Sequence, residues 1–349
     1  MSDLVMYLIT PIGIRYWWNL GSLLGIIIVI QILTGWLLTL FYVRRWQLSF
    51  DSVWLIHLER WNGNLVHLIH LNFASFIFLV LYFHMLKGVY YQSWKTNKLV
   101  WVTGLILMVL IMAVAFLGYV LPTGQMSLWG ATVITNLISV IRKKLVIWIW
   151  GGYSVNQMTL GFFYTLHYIL PFVVLFVVIA HLIVLHIFGR TTFGLKTHFW
   201  PYFAVKDIMN VIVLLFFVWW TLKYSYYTSD PDNFIKANPS VSPLHIKPEW
   251  YFLQYYAILR SIPNKVVGVV FFALSLLIFG LLVLNKGLFS RYWFPVWRLR
   301  VSTFVRINLL LIMVGGKPVE YPFLELGQVL TFLYFVWFLG VIYTPSVFD

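Results

Sequence analysis

Long apolar runs, broken by short polar or basic segments, recur from one end of the chain to the other. A helix needs about 20 mostly apolar residues to cross a hydrocarbon core of about 30 Å. Eight stretches meet that need: residues 17–42, 63–90, 99–120, 161–188, 208–224, 266–284, 298–314 and 323–343. The pattern predicts an all-α membrane protein with eight transmembrane helices. The seventh stretch is the weakest, because Arg300 and Arg306 sit inside it. Two connections are long, 121–160 and 223–265, and an eight-span count puts both on one side. Long ordered loops usually carry function. The first includes residues 145–150, too short to span and read as an interfacial helix in a surface hairpin. The second holds Asp230-Pro231-Asp232, Pro239, Pro243 and Pro248, which call for turns and extended backbone. The first 16 residues lack the pattern of a cleavable signal peptide.

Composition sharpens this picture. Of 349 residues, 62% are hydrophobic and 10% charged, where soluble domains average about 25% charged. That excludes a disordered chain, a nucleic-acid module and a secreted disulfide scaffold. With no cysteine, disulfides, thiol chemistry and iron–sulfur ligation on this chain are excluded as well. The net charge of +14 comes from basic residues between apolar runs, a placement that suits headgroup contact and snorkelling. Lys and Arg divide almost evenly between the two sides, so the positive-inside rule does not orient the chain.

Five histidines lie well within the expected spans: His67, His70 and His84 in the second, His167 and His181 in the fourth; His186 closes the fourth. Ionisable groups in hydrocarbon are costly and mark function, although a lone membrane histidine is as often a packing or proton-relay residue. The spacing decides between these. His70 to His84 and His167 to His181 are both 14 residues apart, a rise of about 21 Å that returns to within about 40° of the starting face. Each helix therefore aims two imidazoles in one direction at two depths, and the second and fourth spans run parallel. No cysteine or intramembrane carboxylate accompanies them, so a tetrahedral zinc or carboxylate site lacks its remaining ligands. Haem iron needs only two axial nitrogens, because the macrocycle supplies four. Gly21 and Gly35 in the first span, and Gly104 and Gly118 in the third, repeat the 14-residue interval. Small residues in membrane helices also serve simple packing, but the same interval in four neighbouring helices points to gaps at two haem depths.

The residues reached so far resemble the cytochrome b family of the respiratory cytochrome bc complex, complex III. The likeness covers nearly the whole chain. It rests on Trp17-Trp18-Asn19 with Gly21-Ser22-Leu23-Leu24-Gly25, on Gln31-Ile32-Leu33-Thr34-Gly35, on Gly118-Tyr119-Val120-Leu121-Pro122 and on Trp129-Gly130-Ala131-Thr132. Trp150-Gly151-Gly152-Tyr153 adds to it, and the most specific run is Lys247-Pro248-Glu249-Trp250-Tyr251-Phe252 with Tyr256-Ala257-Ile258-Leu259-Arg260-Ser261-Ile262-Pro263-Asn264-Lys265.

The resemblance implies a di-haem core subunit that oxidises ubiquinol at one membrane face and passes one electron through two b-type haems. That electron reduces quinone at the other face, in a Q cycle. Residues 1–207 would form the haem-binding four-helix bundle and residues 208–349 a C-terminal four-helix region. His70 and His167 would hold the low-potential haem, His84 and His181 the high-potential one, with Gly21, Gly35, Gly104 and Gly118 flanking them. Quinol oxidation would involve Glu249, Tyr251, Tyr256, Met126, Phe116, Tyr119 and Gly152. Glu249 is the single acid of an apolar-aromatic passage, and burial favours the neutral form of such a carboxyl, which suits a proton acceptor near neutral pH. Quinone reduction would use His186 and Asp207, where Asp207 also suits an N-cap of the fifth span; Lys87, after the second haem ligand, would keep the cofactor-binding charge of the usual arginine. Implied partners are a Rieske iron–sulfur protein, cytochrome c1, other complex III subunits, lipids such as cardiolipin and a second copy in a homodimer. Implied locations are the mitochondrial inner membrane or a bacterial plasma membrane.

The chain departs from the family pattern in places. Pro122-Thr123-Gly124-Gln125 lacks the usual tryptophan, His67 and Phe162 replace two arginines that pair with haem propionates, Lys87 replaces another arginine, and Arg190 replaces a serine. His67 is the natural substitute partner for a propionate. Two other classes compete. A ferric- or ascorbate-type two-haem reductase lacks the Pro-Glu-Trp-Tyr loop and has fewer spans. A histidine-relay transporter leaves the paired spacings to coincidence. The plastid counterpart is split into two chains and carries Asp in that loop.

Overall fold

The computed structural model describes residues 9–188, 195–198, 200–285 and 294–343; Arg190 lies outside them. Helices dominate: α1 (Leu20–Thr39), α2 (Trp46–Glu59), α3 (Gly63–Tyr90), α4 (Ser93–Thr96), α5 (Lys98–Val120), α6 (Gln125–Asn136), α7 (Lys143–Trp150), α8 (Gln157–Phe188), α9 (Ile208–Lys223), α10 (Leu253–Ser261), α11 (Lys265–Leu281), α12 (Phe294–Gly315) and α13 (Phe323–Tyr343). One short antiparallel pair, β1 (Ile9–Pro11) with β2 (Lys196–His198), is the described sheet.

Among the described residues seven helices are long and apolar enough to cross a membrane: Tyr16–Thr39, Gly63–Tyr90, Lys98–Val120, Gln157–Ile187, Val205–Lys223, Lys265–Leu284 and Phe323–Tyr343. These match the first six and the eighth of the expected spans. The seventh differs. It forms as α12, 22 residues long, but Arg298, Arg300 and Arg306 keep it out of that set. A charge at the bilayer centre raises the insertion cost by about 2.5–3.5 kcal/mol.

The chain folds as two compact units, one of Met1–Leu40, His57–Met108 and Val173–Tyr227, the other of Phe41–Ile56, Val109–Phe172 and Thr228–Asp349. In the first, α1 and α9 pack on α3. Phe76 stacks on Phe217 with centroids 4.0 Å apart, and the Asn72 amide donates to the Ser225 carbonyl at 2.8 Å. In the second, α10, α11, α12 and α13 pack together around Phe279, Leu311, Tyr334 and Phe338.

The first long connection contains α7, as expected from its apolar run. Leu117, Val120, Leu128, Ala131, Val146, Trp150, Val155 and Phe163 make a single core beneath it, and Trp150 donates its indole N–H to Thr135 at 2.7 Å. Gly151 ends α7 with φ +65°, a backbone state that side chains rarely adopt.

Candidate functional site: four histidines and a buried carboxyl

Each of the four paired histidines meets one glycine. A Cβ built on Gly21 would lie 3.4 Å from His84 Cε1, on Gly35 2.9 Å from His70 Cε1, on Gly104 3.4 Å from His181 Cε1 and on Gly118 2.5 Å from His167 Cε1. Contacts near 3.5–4.0 Å are optimal for carbon, so no side chain fits at Gly35 or Gly118 without moving the imidazole. The glycines thus form four cradles, one per ring.

Hydrogen bonds fix the tautomer of three rings. His70 Nδ1 lies 2.9 Å from Thr34 Oγ1, and that hydroxyl donates its one proton to the Ile30 carbonyl at 2.8 Å. The Thr34 oxygen therefore accepts from His70, placing the proton on Nδ1 and the lone pair on Nε2. His181 repeats the device: its Nδ1 is 2.8 Å from Thr103 Oγ1, whose proton goes to the Leu99 or Val100 carbonyl. His167 Nδ1 donates to the Val114 carbonyl at 2.9 Å. A neutral imidazole held through Nδ1–H with its lone pair at Nε2 is the form that ligates a metal. His84 Nδ1 is buried with no hydrogen-bond partner. Lys87 is within electrostatic reach of His84 and His181, and its ammonium lies over the Trp18 ring at 5.2 Å.

Among the described residues no group of three or more His, Cys, Asp or Glu could hold a metal ion by itself. These imidazoles fit a centre that brings its own equatorial donors, and the glycine cradles fit a bulky planar group beside them.

His67, expected to stand in for a lost arginine, meets another imidazole: its Nδ1 is hydrogen-bonded to His57 Nε2, with ring centroids 4.5 Å apart. Burial holds the His57 imidazole below its usual pKa, so it is neutral at pH 7.

The second chemistry gathers around Glu249, which precedes the helical turn Trp250–Phe252 in extended conformation. Burial raises its carboxyl pKa to about 7; Tyr119 and Lys247 oppose the rise and Asp230 adds to it. The Tyr119 hydroxyl lies beside this carboxyl and is buried without a well-formed hydrogen bond of its own. Asp230 pairs with Lys247 at 3.6 Å. Tyr251 is buried, and burial followed by the Glu249 charge pushes its hydroxyl pKa well up. Tyr256 donates to the Ile246 carbonyl at 3.1 Å. Met126 is fully buried, Phe116 packs on the core beneath α7, and a Cβ on Gly152 would sit 3.0 Å from the Asn156 amide nitrogen. Thr123, where the family carries tryptophan, takes a left-handed φ of 52°. Its hydroxyl meets Ser49 at 2.6 Å and its carbonyl accepts from the Ala237 N–H at 3.0 Å.

Asp207 precedes α9 but makes no side-chain cap there. Its Oδ1 accepts from Asn19 at 2.8 Å, Ser22 at 2.9 Å and Asn210 at 3.3 Å, a carboxylate held by neutral donors. His186 is exposed in the last turn of α8.

Residues 5–189 match the family model described as Cytochrome b/b6/petB, and residues 236–335 match Cytochrome b(C-terminal)/b6/petD. The chain belongs to the cytochrome b family. A curated cytochrome b from Apis mellifera ligustica is 42% identical over 355 residues, covering 99% of this chain and 92% of that one. A solved chain from a "Hyperthermophilic respiratory Complex III" superposes with a TM-score of 0.90 at 29% identity, covering 95% of this chain and 92% of that chain. Haem and a membrane setting are what the family leads one to expect.

Thr34, Thr103, Asn210, His57 and Asp230 escaped the reading of the sequence as site residues. A signal for two of them was present: each threonine immediately precedes a cradle glycine, as Thr34-Gly35 and Thr103-Gly104.

Proposed function

We propose that this chain is the quinol-oxidising, two-haem core subunit of a respiratory complex III. The matched set of four histidine–glycine contacts carries the reading, and membership of the cytochrome b family supports it. His70 with His167, and His84 with His181, would hold two b-type haems. Those groups supply one-electron transfer between the two membrane faces when bound. The chain's own part is to hold each Nε2 lone pair in place through Nδ1, and to leave room for the macrocycle at Gly21, Gly35, Gly104 and Gly118.

At the oxidation face Glu249 accepts a proton from the quinol hydroxyl. A carboxyl with a pKa of about 7 is half ionised at neutral pH, which suits both taking up and releasing that proton. Tyr119 and Tyr251 keep the carboxyl out of bulk water, and Met126, Phe116, Gly152 and Tyr256 form the apolar walls. At the reduction face Asp207 and His186 deliver protons to quinone, and Lys87, near His84 and His181, would supply positive charge beside the haem that those two would hold. Without cysteine, the chain relies on a Rieske iron–sulfur protein for the cluster that takes the other electron, and on cytochrome c1 beyond it. Identity with an insect cytochrome b favours the mitochondrial inner membrane over a bacterial plasma membrane, in a homodimeric complex with cardiolipin among its lipids.

The test is quinol–cytochrome c reductase activity of the purified complex with wild-type chain and with Glu249→Gln. The reading predicts turnover that the substitution lowers at least tenfold, about 1.4 kcal/mol of transition-state stabilisation. Full activity in Glu249→Gln refutes the assignment of the proton acceptor.

A further inference from the structure

The arginine-bearing helix α12 has two opposed seams. Trp297, Val301, Phe304, Ile307, Leu311 and Val314 are buried. Leu299, Thr303, Arg306, Leu310 and Met313 are exposed and follow one another at steps of four, three, four and three residues. That is the spacing of a left-handed helix–helix seam.

The depth of α12 follows from its neighbour. It runs beside α13, a helix that meets the requirements of a membrane span, along its whole length. Near one end Trp337 donates to the Arg300 carbonyl at 2.9 Å. In the middle Phe304 lies 4.4 Å from Trp337 and 6.2 Å from Tyr334, ring centre to ring centre. At the other end a Cβ on Gly327 would lie 3.4 Å from Val314. Arg306 is about 18 Å along the axis from Phe294 and about 13 Å from Gly315, close to the middle of the hydrocarbon.

There Arg306 is exposed, and among the described residues it has no hydrogen-bond or ion-pair partner. No Asp or Glu lies within α11 or α12, and the acid of α13, Glu325, is in its first turn. A charge at this depth pairs with another group or opens to water.

We propose that the outward face of α12 is an intramembrane docking seam for a transmembrane helix of another subunit, and that this helix carries an Asp or Glu that pairs with Arg306. A lipid phosphate is the wrong depth: it sits about 15 Å from the midplane, and an extended arginine reaches roughly half of that. A second copy of this chain offers no acid at that depth, because among the candidate spans only Asp207 and Glu325 occur, each in the first turn of its segment.

The complex is purified from membranes carrying Arg306→Leu or Arg306→Lys, and its subunits are quantified against this chain. With Arg306→Leu one single-pass subunit falls at least about tenfold, the equivalent of 1.4 kcal/mol, while haem per chain is unchanged; Arg306→Lys retains it. The lost subunit carries a carboxylate within its span. Because the chain has no cysteine, Thr303→Cys provides a unique thiol on the same face, and an apolar thiol cross-linker joins it to that subunit in an otherwise unaltered complex. Unchanged composition in Arg306→Leu, a lost subunit without a membrane acid, or a Thr303→Cys thiol that links only to lipid overturns the proposal. If Arg306→Leu does not assemble, the Thr303→Cys cross-link decides alone.

Discussion

Adding one methyl group at Gly118 separates a glycine kept for space from one kept for packing. A Cβ there would lie 2.5 Å from Cε1, 3.0 Å from Nδ1 and 3.1 Å from Nε2 of His167. Carbon atoms rest at about 3.5–4.0 Å, so in Gly118→Ala the ring must retreat by about 1 Å. The retreat is opposed, because Nδ1 is bonded at 2.9 Å to the Val114 carbonyl, one turn earlier on the same helix. Losing that bond costs about 1 kcal/mol and overpacking about 1–3 kcal/mol more. The sum, about 2–4 kcal/mol, corresponds to a factor of roughly 30–1000 in the affinity of whatever His167 ligates. At Gly21 the same methyl would meet His84 Cε1 at 3.4 Å and Nδ1 at 3.9 Å, a contact the ring tolerates. Pyridine haemochrome assay per chain, with a redox titration of the b-band absorbance, reads the difference. Gly118→Ala is expected to lose half of the haem and one of two titrating components, and Gly21→Ala neither. Equal haem in both variants, or a larger loss in Gly21→Ala, refutes the reasoning.

Three further outcomes are expected. Thr34→Val and Thr103→Val remove the acceptors that draw on His70 and His181 through Nδ1–H; a bond of about 0.5–1.5 kcal/mol corresponds to about 20–60 mV for one electron. Each is expected to raise the potential of one titrating component, because a less basic imidazole favours ferric iron less, and potentiometry reads the shift. Quinol oxidation is expected to rise as pH increases through about 7, where the Glu249 carboxyl loses its proton; below that pH the protonated group cannot accept another. In Glu249→Gln the rate-against-pH curve is expected to lose this rise, and a retained rise assigns it to another group. His57→Leu leaves His67 Nδ1 without its imidazole partner at a cost of about 1–3 kcal/mol, so thermal loss of the haem spectrum is expected at lower temperature, with His57→Gln closer to wild type.

The spans were legible because a bilayer imposes a length of about 20 apolar residues, and α1, α3, α5, α8, α9, α11 and α13 all formed where that rule placed them. The connection helix α7 was legible for a related reason, an apolar run too short to cross. The helix α12 formed where the seventh apolar stretch placed it, but hydropathy counts an arginine without saying which way it faces; only packing separates the buried Phe304 seam from the exposed Arg306 seam. The histidine and glycine spacings could be read because helical geometry turns a 14-residue interval into one face. The threonines that hold the imidazoles were passed over although each precedes a cradle glycine, since an intrahelical Thr–carbonyl bond is common and gains meaning only when a neighbouring helix brings a ring to it. His67 illustrates the same limit. Its hydrogen bond to His57 comes from α2, a helix whose mixed polarity gave no membrane signal.

The central claim is that four histidines hold two b-type haems with both axial positions filled. The dithionite-reduced minus oxidised spectrum of the purified complex, with a pyridine haemochrome count per chain, addresses it directly. The account predicts two protohaems per chain, with low-spin b-type bands that carbon monoxide leaves unchanged. A single haem, none, or bands that shift under carbon monoxide would contradict it.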